Sequence, residues 1–328
     1  MIINSRVEIY MTESSTPVQS TNLDRRKYST PIAFAAVVVI GGSIGVAVRI
    51  SNFELPPFWG AGIRAAVAAL VFWLIIAVRR IDLPHGREMV GALLYGLLTV
   101  GFSYALLYWG LLRVQAGLAS IVLAIVPLLT FLFALAHRQE SFHWRSLIGS
   151  LIAIGGILLA VGEGLGTSIP VASLLALIAA AACLAEGSVL FKFFPQPHPH
   201  ATNAVALTIG ASFLLGLSAI VGEDWHLPAT PDTWIAFIYL AIVATVGLYY
   251  LYLFVLGQWP ASVTNYSFLL FPISTVVFAA WLLHESITLS FIIGSGLVLV
   301  GVWLGALRGL TQETSVAEGS TSGEETPS

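Results

Sequence analysis

Glu186 is the only acidic residue well inside a long apolar stretch, 15 positions into the run from Val171 to Lys192. An ionised carboxylate alone in hydrocarbon is costly, so it must exchange a proton, pair with a neighbour or reach the nearer interface. The first outcome is the chemistry of a proton relay. Arg64, seven residues into the run from Pro57 to Val78, is the matching positive charge. Its planar fork suits an anionic or zwitterionic group if it faces a cavity, whereas its long stem equally suits snorkelling to headgroups or a structural ion pair. Ser188 follows Gly187 beside the carboxylate, and Ser43 follows Gly42 in the same way near the start of the chain. Each pair offers a hydroxyl next to backbone that can be approached closely.

Aromatic hydroxyls form the next set. Tyr104 and Tyr108 are four apart and share a helix face, with Trp109 beside them, and Tyr249, Tyr250 and Tyr252 cluster later in the chain. Tyr108, Trp109 and Tyr252 fit anchors at the membrane surface, while the deeper Tyr104 and Tyr249 fit a pocket wall. Asn265 and Tyr266 would be expensive facing lipid, which assigns them to helix contacts or pocket lining. Pro127 and Pro272 each stand in the middle of an apolar run, where a proline frees the carbonyl four residues earlier, Leu123 or Phe268, and kinks the helix. They are candidate hinges, or simply packing kinks. No Gly-x-Ser-Gly nucleophile signal, His-Glu-x-x-His helix or aspartate-rich motif is present. The one cysteine, Cys183, and seven histidines confined to connections and span ends point to no metal site and no cofactor.

These residues must be positioned by an apolar scaffold, because 57% of the 328 residues are hydrophobic and only 9% are charged. A soluble domain carries about a quarter charged residues, so the chain reads as an all-α polytopic protein of a lipid bilayer. A net charge of −3 excludes a nucleic-acid partner. Runs of about 20 apolar residues cross a bilayer, and ten such runs are expected here. The first five are Pro31 to Arg49, Pro57 to Val78, Glu88 to Leu112, Ala116 to Ala136 and Leu147 to Gly162. The second five are Val171 to Lys192, Ala204 to Gly222, Trp234 to Leu256, Ser262 to Leu283 and Ser290 to Leu307. Residues 1–30 and 308–328 read as polar tails, the latter disordered. With the N-terminus in the cytoplasm, 11 of the 14 basic residues fall inside, which assigns both termini to the cytoplasm of a cell membrane.

Sliding the chain on itself by 145 residues places Pro127 on Pro272, Thr130 on Thr275, Glu140 on Glu285, Gly149 on Gly294 and Gly156 on Gly301. The same offset aligns Gly42-Ser43 with Gly187-Ser188 and Tyr104 with Tyr249. Residues 31–163 and 164–307 are therefore expected to be two five-helix repeats. Five is odd, so the second half enters the membrane in the opposite sense. Two inverted halves exchanging shape open first one side and then the other. Gly301-x-x-x-Gly305 and the other glycines of the fifth and tenth runs fit either a homodimer seam or packing within one chain.

Ten helices in two halves, each with a mid-span proline in its fourth helix, a Glu at that helix's end and a glycine-rich fifth helix, resemble the EamA-type family of the drug/metabolite transporter superfamily. Ser141 and Ser286 stand after the two Glu residues, where members often carry a basic residue. The resemblance spans about Pro31 to Leu307. It implies a transporter of a small organic metabolite, often an exporter driven by an ion gradient, with a central pocket between the halves. Glu186 would then carry proton coupling, and facilitated exchange without protons is the alternative.

Overall fold

A computed structural model of the chain describes residues 18–139, 144–162, 170–195, 197–256, 261–284 and 288–306. Every regular element among them is helical. Helices win because a backbone in hydrocarbon has no water to bond, and a helix satisfies its N–H and C=O groups within itself.

The chain runs α1 (Val18–Ser51), α2 (Pro57–Arg79), then α3 (Arg87–Gly96) continuing through a π-helical stretch at Leu97–Phe102 into α4 (Ser103–Gly110). Next come α5 (Ala116–Leu123), α6 (Val126–Ala136) and α7 (Trp144–Gly162). The second part holds α8 (Val171–Phe191), α9 (Pro199–Val221) and α10 (Pro231–Ile238), a π-helical stretch at Tyr239–Gly247, α11 (Leu248–Leu256), α12 (Ala261–Leu282) and α13 (Leu289–Ala306). Helix α1 begins at Val18 rather than at the expected Pro31, since a helix nucleated by its apolar half extends at little cost.

Among the described residues, seven runs are long and apolar enough to cross a membrane: 30–51, 57–79, 87–110, 116–136, 171–191, 199–221 and 231–252. They overlie the expected first four and sixth to eighth spans. Helices α12 (Ala261–Leu282) and α13 (Leu289–Ala306) stand where the ninth and tenth were expected, with described apolar stretches at Leu270–Leu282 and Leu289–Gly301. The protein is thus a multi-pass membrane protein.

Sharp helix ends come from particular residues. Proline opens α2, α9 and α10, where its missing N–H is no loss. Gly222 ends α9 in the left-handed region at φ 76°, a conformation a side chain would resist. The two prolines of the repeat behave differently. Pro127 sits in the first turn of α6, after a break at Ala124 and Ile125, whereas Pro272 lies buried inside an unbroken α12.

Helices approach through glycine, as expected where lipid removes the hydrophobic drive between them. A Cβ on Gly156 would lie 2.6 Å from the Gly294 carbonyl, and one on Gly301 would lie 2.5 Å from the Gly149 carbonyl. These glycines are consumed by α7 packing on α13 within one chain. Helix α2 packs on α9, α1 on α12 and α8 on α5 and α6; α8 on α4 is matched by α1 on α11. Shifting residue numbers by 145 converts each of these contacts into itself or into its partner. The same shift places 97–102 of the first π stretch onto 242–247 of the second.

Candidate functional site

Arg64 stands on α2 among small neighbours, Gly60, Ala61, Gly62, Ala65 and Ala68, all buried with it. At 2% exposure the side chain does not snorkel; it is enclosed by the helices around it. Nε and Nη2 both donate to Thr245 Oγ1, at 3.3 and 3.2 Å, and Nη1 donates to the Tyr108 hydroxyl at 3.0 Å. The guanidinium carbon lies 5.0 Å from the centre of the Tyr104 ring, a cation–π contact. Tyr104 and Tyr108 stack one turn apart, 6.2 Å between centroids.

Thr245 owes its aim to the π-helical stretch. Its hydroxyl donates to the Leu240 carbonyl five residues back, at 2.8 Å, which leaves its lone pairs for Arg64. π-Helical turns cluster at functional sites because the extra residue per turn redirects side chains. Tyr239, at the start of the same stretch, bonds the Ser43 hydroxyl of α1. Ser43 itself donates to the Ile40 carbonyl at 2.7 Å, so Tyr239 is the donor in that pair. On the other flank, the hydroxyls of Tyr249 and Tyr95 engage each other, and Tyr249 meets Phe72 edge-on at 6.3 Å.

The cluster therefore draws Arg64, Ser43, Tyr104 and Tyr249 together with Tyr95, Tyr108, Tyr239 and Thr245. Tyr108, which by position suited a surface anchor, is fully buried and holds the cation. Thr245 and Tyr239 carried only a weak signal in the sequence, polar atoms in an apolar run; their partners lie across the fold. Beside the cluster, Phe72 and Tyr249 line a cavity of about 430 Å³ with Ile40, Ile75, Val246 and Tyr250.

Glu186 lies elsewhere. Its Oε1 is 2.7 Å from Nε2 of His137, the residue that ends α6, and both side chains are part-exposed. Gln139 adds a 3.3 Å bond from Nε2 to the Val189 carbonyl. Ser188 is exposed and donates to its own helix at the Leu184 carbonyl, 2.8 Å away. Asn265 and Tyr266 lie on α12, and their side chains, like that of Pro127, fall outside the described residues.

A buried polar cluster inside apolar helices, built from both parts of the chain, defines a membrane transporter. The sequence matches the EamA-like transporter family twice, over residues 29–162 and 171–306, and the chain belongs to that family. It is 28% identical to the "Uncharacterized transporter YvbV" of Bacillus subtilis (strain 168) over 291 residues, 85% of this chain and 92% of that protein. It is likewise 28% identical to the "Probable amino-acid metabolite efflux pump" of Escherichia coli (strain K12), over 87% of this chain and 96% of that one. A crystal structure at 18% identity has the same fold, with a TM-score of 0.60 over 86% of this chain and 98% of its own.

Proposed function

We propose that the chain is a ten-helix secondary active transporter that moves a small organic metabolite outward across the cytoplasmic membrane, with both termini inside. Its two halves, 31–163 and 164–307, work as an inverted repeat that alternates access. The observation that carries this reading is that Arg64 of the first half is held by Thr245 of the second. A site shared by two halves changes shape whenever they move against each other. Contacts that map onto each other under the 145-residue shift, and the paired π-helical stretches, support the repeat. The relative named as a metabolite efflux pump supports the outward direction.

Coupling is assigned to Glu186, whose carboxylate meets the His137 imidazole at 2.7 Å. In proteoliposomes loaded with extracts of metabolites, an imposed pH gradient drives efflux by the native protein. The Glu186→Gln form then loses the dependence on the gradient. A second reading, facilitated exchange without protons, is favoured by the bond of Glu186 to His137 rather than to a residue of the Arg64 cluster. Equal flux with and without a gradient in the native protein decides for it.

A further inference from the structure

We propose that Arg64 is the anchor for the carboxylate of an organic acid with an apolar body, and that the site asks for no ammonium group beside that carboxylate. This deepens the transport reading, on which it rests, by naming the substrate class of the same cluster.

A guanidinium has five N–H donors. Three are used: one on Nε and one on Nη2 by Thr245, and one on Nη1 by Tyr108. One N–H on each terminal nitrogen is left over, and a carboxylate offers two oxygens to such a pair. Both acceptors already present are neutral hydroxyls, and Arg64 forms no ion pair with any described carboxylate. A cation buried within membrane helices normally marks the path or site of a counter-charge. Here the charge is held by two hydrogen-bonded hydroxyls and a ring face, with no counter-charge among the described residues.

The surroundings decide what else the ligand needs. Tyr95, Tyr104, Tyr108, Tyr239 and Tyr249 supply hydroxyls and ring faces, and no negative charge that would require an ammonium to neutralise it. Along α2, the positions one and two turns beyond Arg64 are Ala68 and Phe72, both buried. Phe72 then opens onto the apolar cavity of about 430 Å³. Tyr249, which meets Phe72 edge-on at the flank of the cluster, lines the same cavity, so an apolar body placed there lies beside the cation that takes its acid end. An inorganic anion would make no use of that cavity.

The test uses the purified full-length protein and three matched probes: 3-phenylpropionate, L-phenylalanine and 3-phenylpropionamide, with sodium chloride at equal ionic strength. The readout is the concentration-dependent rise in the thermal unfolding midpoint. The acid stabilises the protein, phenylalanine does so no better, and neither the amide nor chloride does. Arg64→Lys, which keeps the charge but loses the fork, weakens the acid by about tenfold or more. Should that variant fail to fold, Thr245→Ala carries the test, because it removes the acceptor that aims the guanidinium; the acid weakens there too. Ser212→Ala, on the exposed face of α9, binds as the native protein does.

The proposal is overturned if the amide or chloride stabilises as well as the acid, or if phenylalanine alone binds. It is overturned equally if both variants retain full affinity. Binding is read without flux, so a failure here leaves the transport reading to its own vesicle assay. Loss of all metabolite flux there would sink that reading instead.

Discussion

At one end of the bundle, the connection between α1 and α2 interlocks with that between α9 and α10. Glu54 accepts from Ala229 N at 2.6 Å and from the Thr230 hydroxyl at 3.0 Å, and Glu223 accepts from Phe58 N and Trp59 N at 3.1 and 2.7 Å. Glu223 thereby caps the N-terminus of α2 from the other half of the chain. Trp59 stacks on Trp225 at 5.0 Å and donates to the His226 carbonyl at 2.6 Å. The other end lies about 35 Å along α2, since helices rise about 1.5 Å per residue. There, among the described residues, the His137–Glu186 pair and the Gln139 bond join α6 and its end to α8. Between 80–88 and 197–198 a crevice of about 440 Å³ stays open, lined by Arg80, Asp82, His85 and His198.

The difference teaches that one end is closed by a network that must release several bonds together, whereas the described residues of the other are joined by few. Bonds within one network must break together, whereas a single part-exposed ion pair is worth about 0–1 kcal/mol. Under the transport reading, this conformation is shut toward the outside and closer to opening inward.

Locking the tight end permanently is expected to have the largest effect. Trp59→Cys with Trp225→Cys in a Cys183→Ser background, joined by a short reducible linker, abolishes flux, and reduction restores it. Continued flux in the linked fraction would show that this end does not open. Next, Glu186→Gln lowers gradient-driven flux about tenfold, as expected for loss of a proton-transfer group. If the rate in vesicles is untouched, the loose end has no part in coupling.

Glu223→Ala removes an N-terminal cap of α2, and a lost cap costs about 1 kcal/mol, or about fivefold in the closing equilibrium. Labelling of a cysteine placed at Phe53 should speed up by that factor. A smaller effect follows from pH. Hydrogen bonds from the Thr233 side chain, Ala229 and Thr230 hold the Glu54 carboxyl below its usual value of 4.5. Its ionised form is favoured in the closed state, so its contribution is full at neutral pH and is lost as pH falls through the lowered value. The access of a neutral relaxation agent to a spin label placed at residue 53 therefore rises as pH falls through that lowered value, and Glu54→Gln removes the rise. Smallest of all, Gln139→Ala changes flux about twofold or less, as one long side-chain bond at a part-exposed site is worth about 0.5 kcal/mol, the low end for a hydrogen bond. A larger loss would mean the loose end is more tightly held than its bonds indicate.

Much of this was legible before the fold was known. Arg64 and Glu186 stand out because a charge in an apolar run is expensive and needs a reason. The likeness between Pro127 and Pro272 was legible as a repeat, but not that one breaks its helix while the other is absorbed in an intact one. That outcome depends on what packs against each proline. The π-helical stretches left no mark in the hydrophobic pattern, since one extra residue in a turn barely shifts a period in a uniformly apolar run.

The sequence by itself determined the medium, the helical class and the family, because hydropathy and the repeat of glycine, proline and glutamate are one-dimensional signals. Tertiary structure decided the partners. Thr245 lies 181 positions from Arg64, and His137 lies 49 from Glu186. Which hydroxyl or imidazole meets a buried charge is set by how helices cross and turn against one another. Among side chains that are nearly all apolar, no local pattern records that choice.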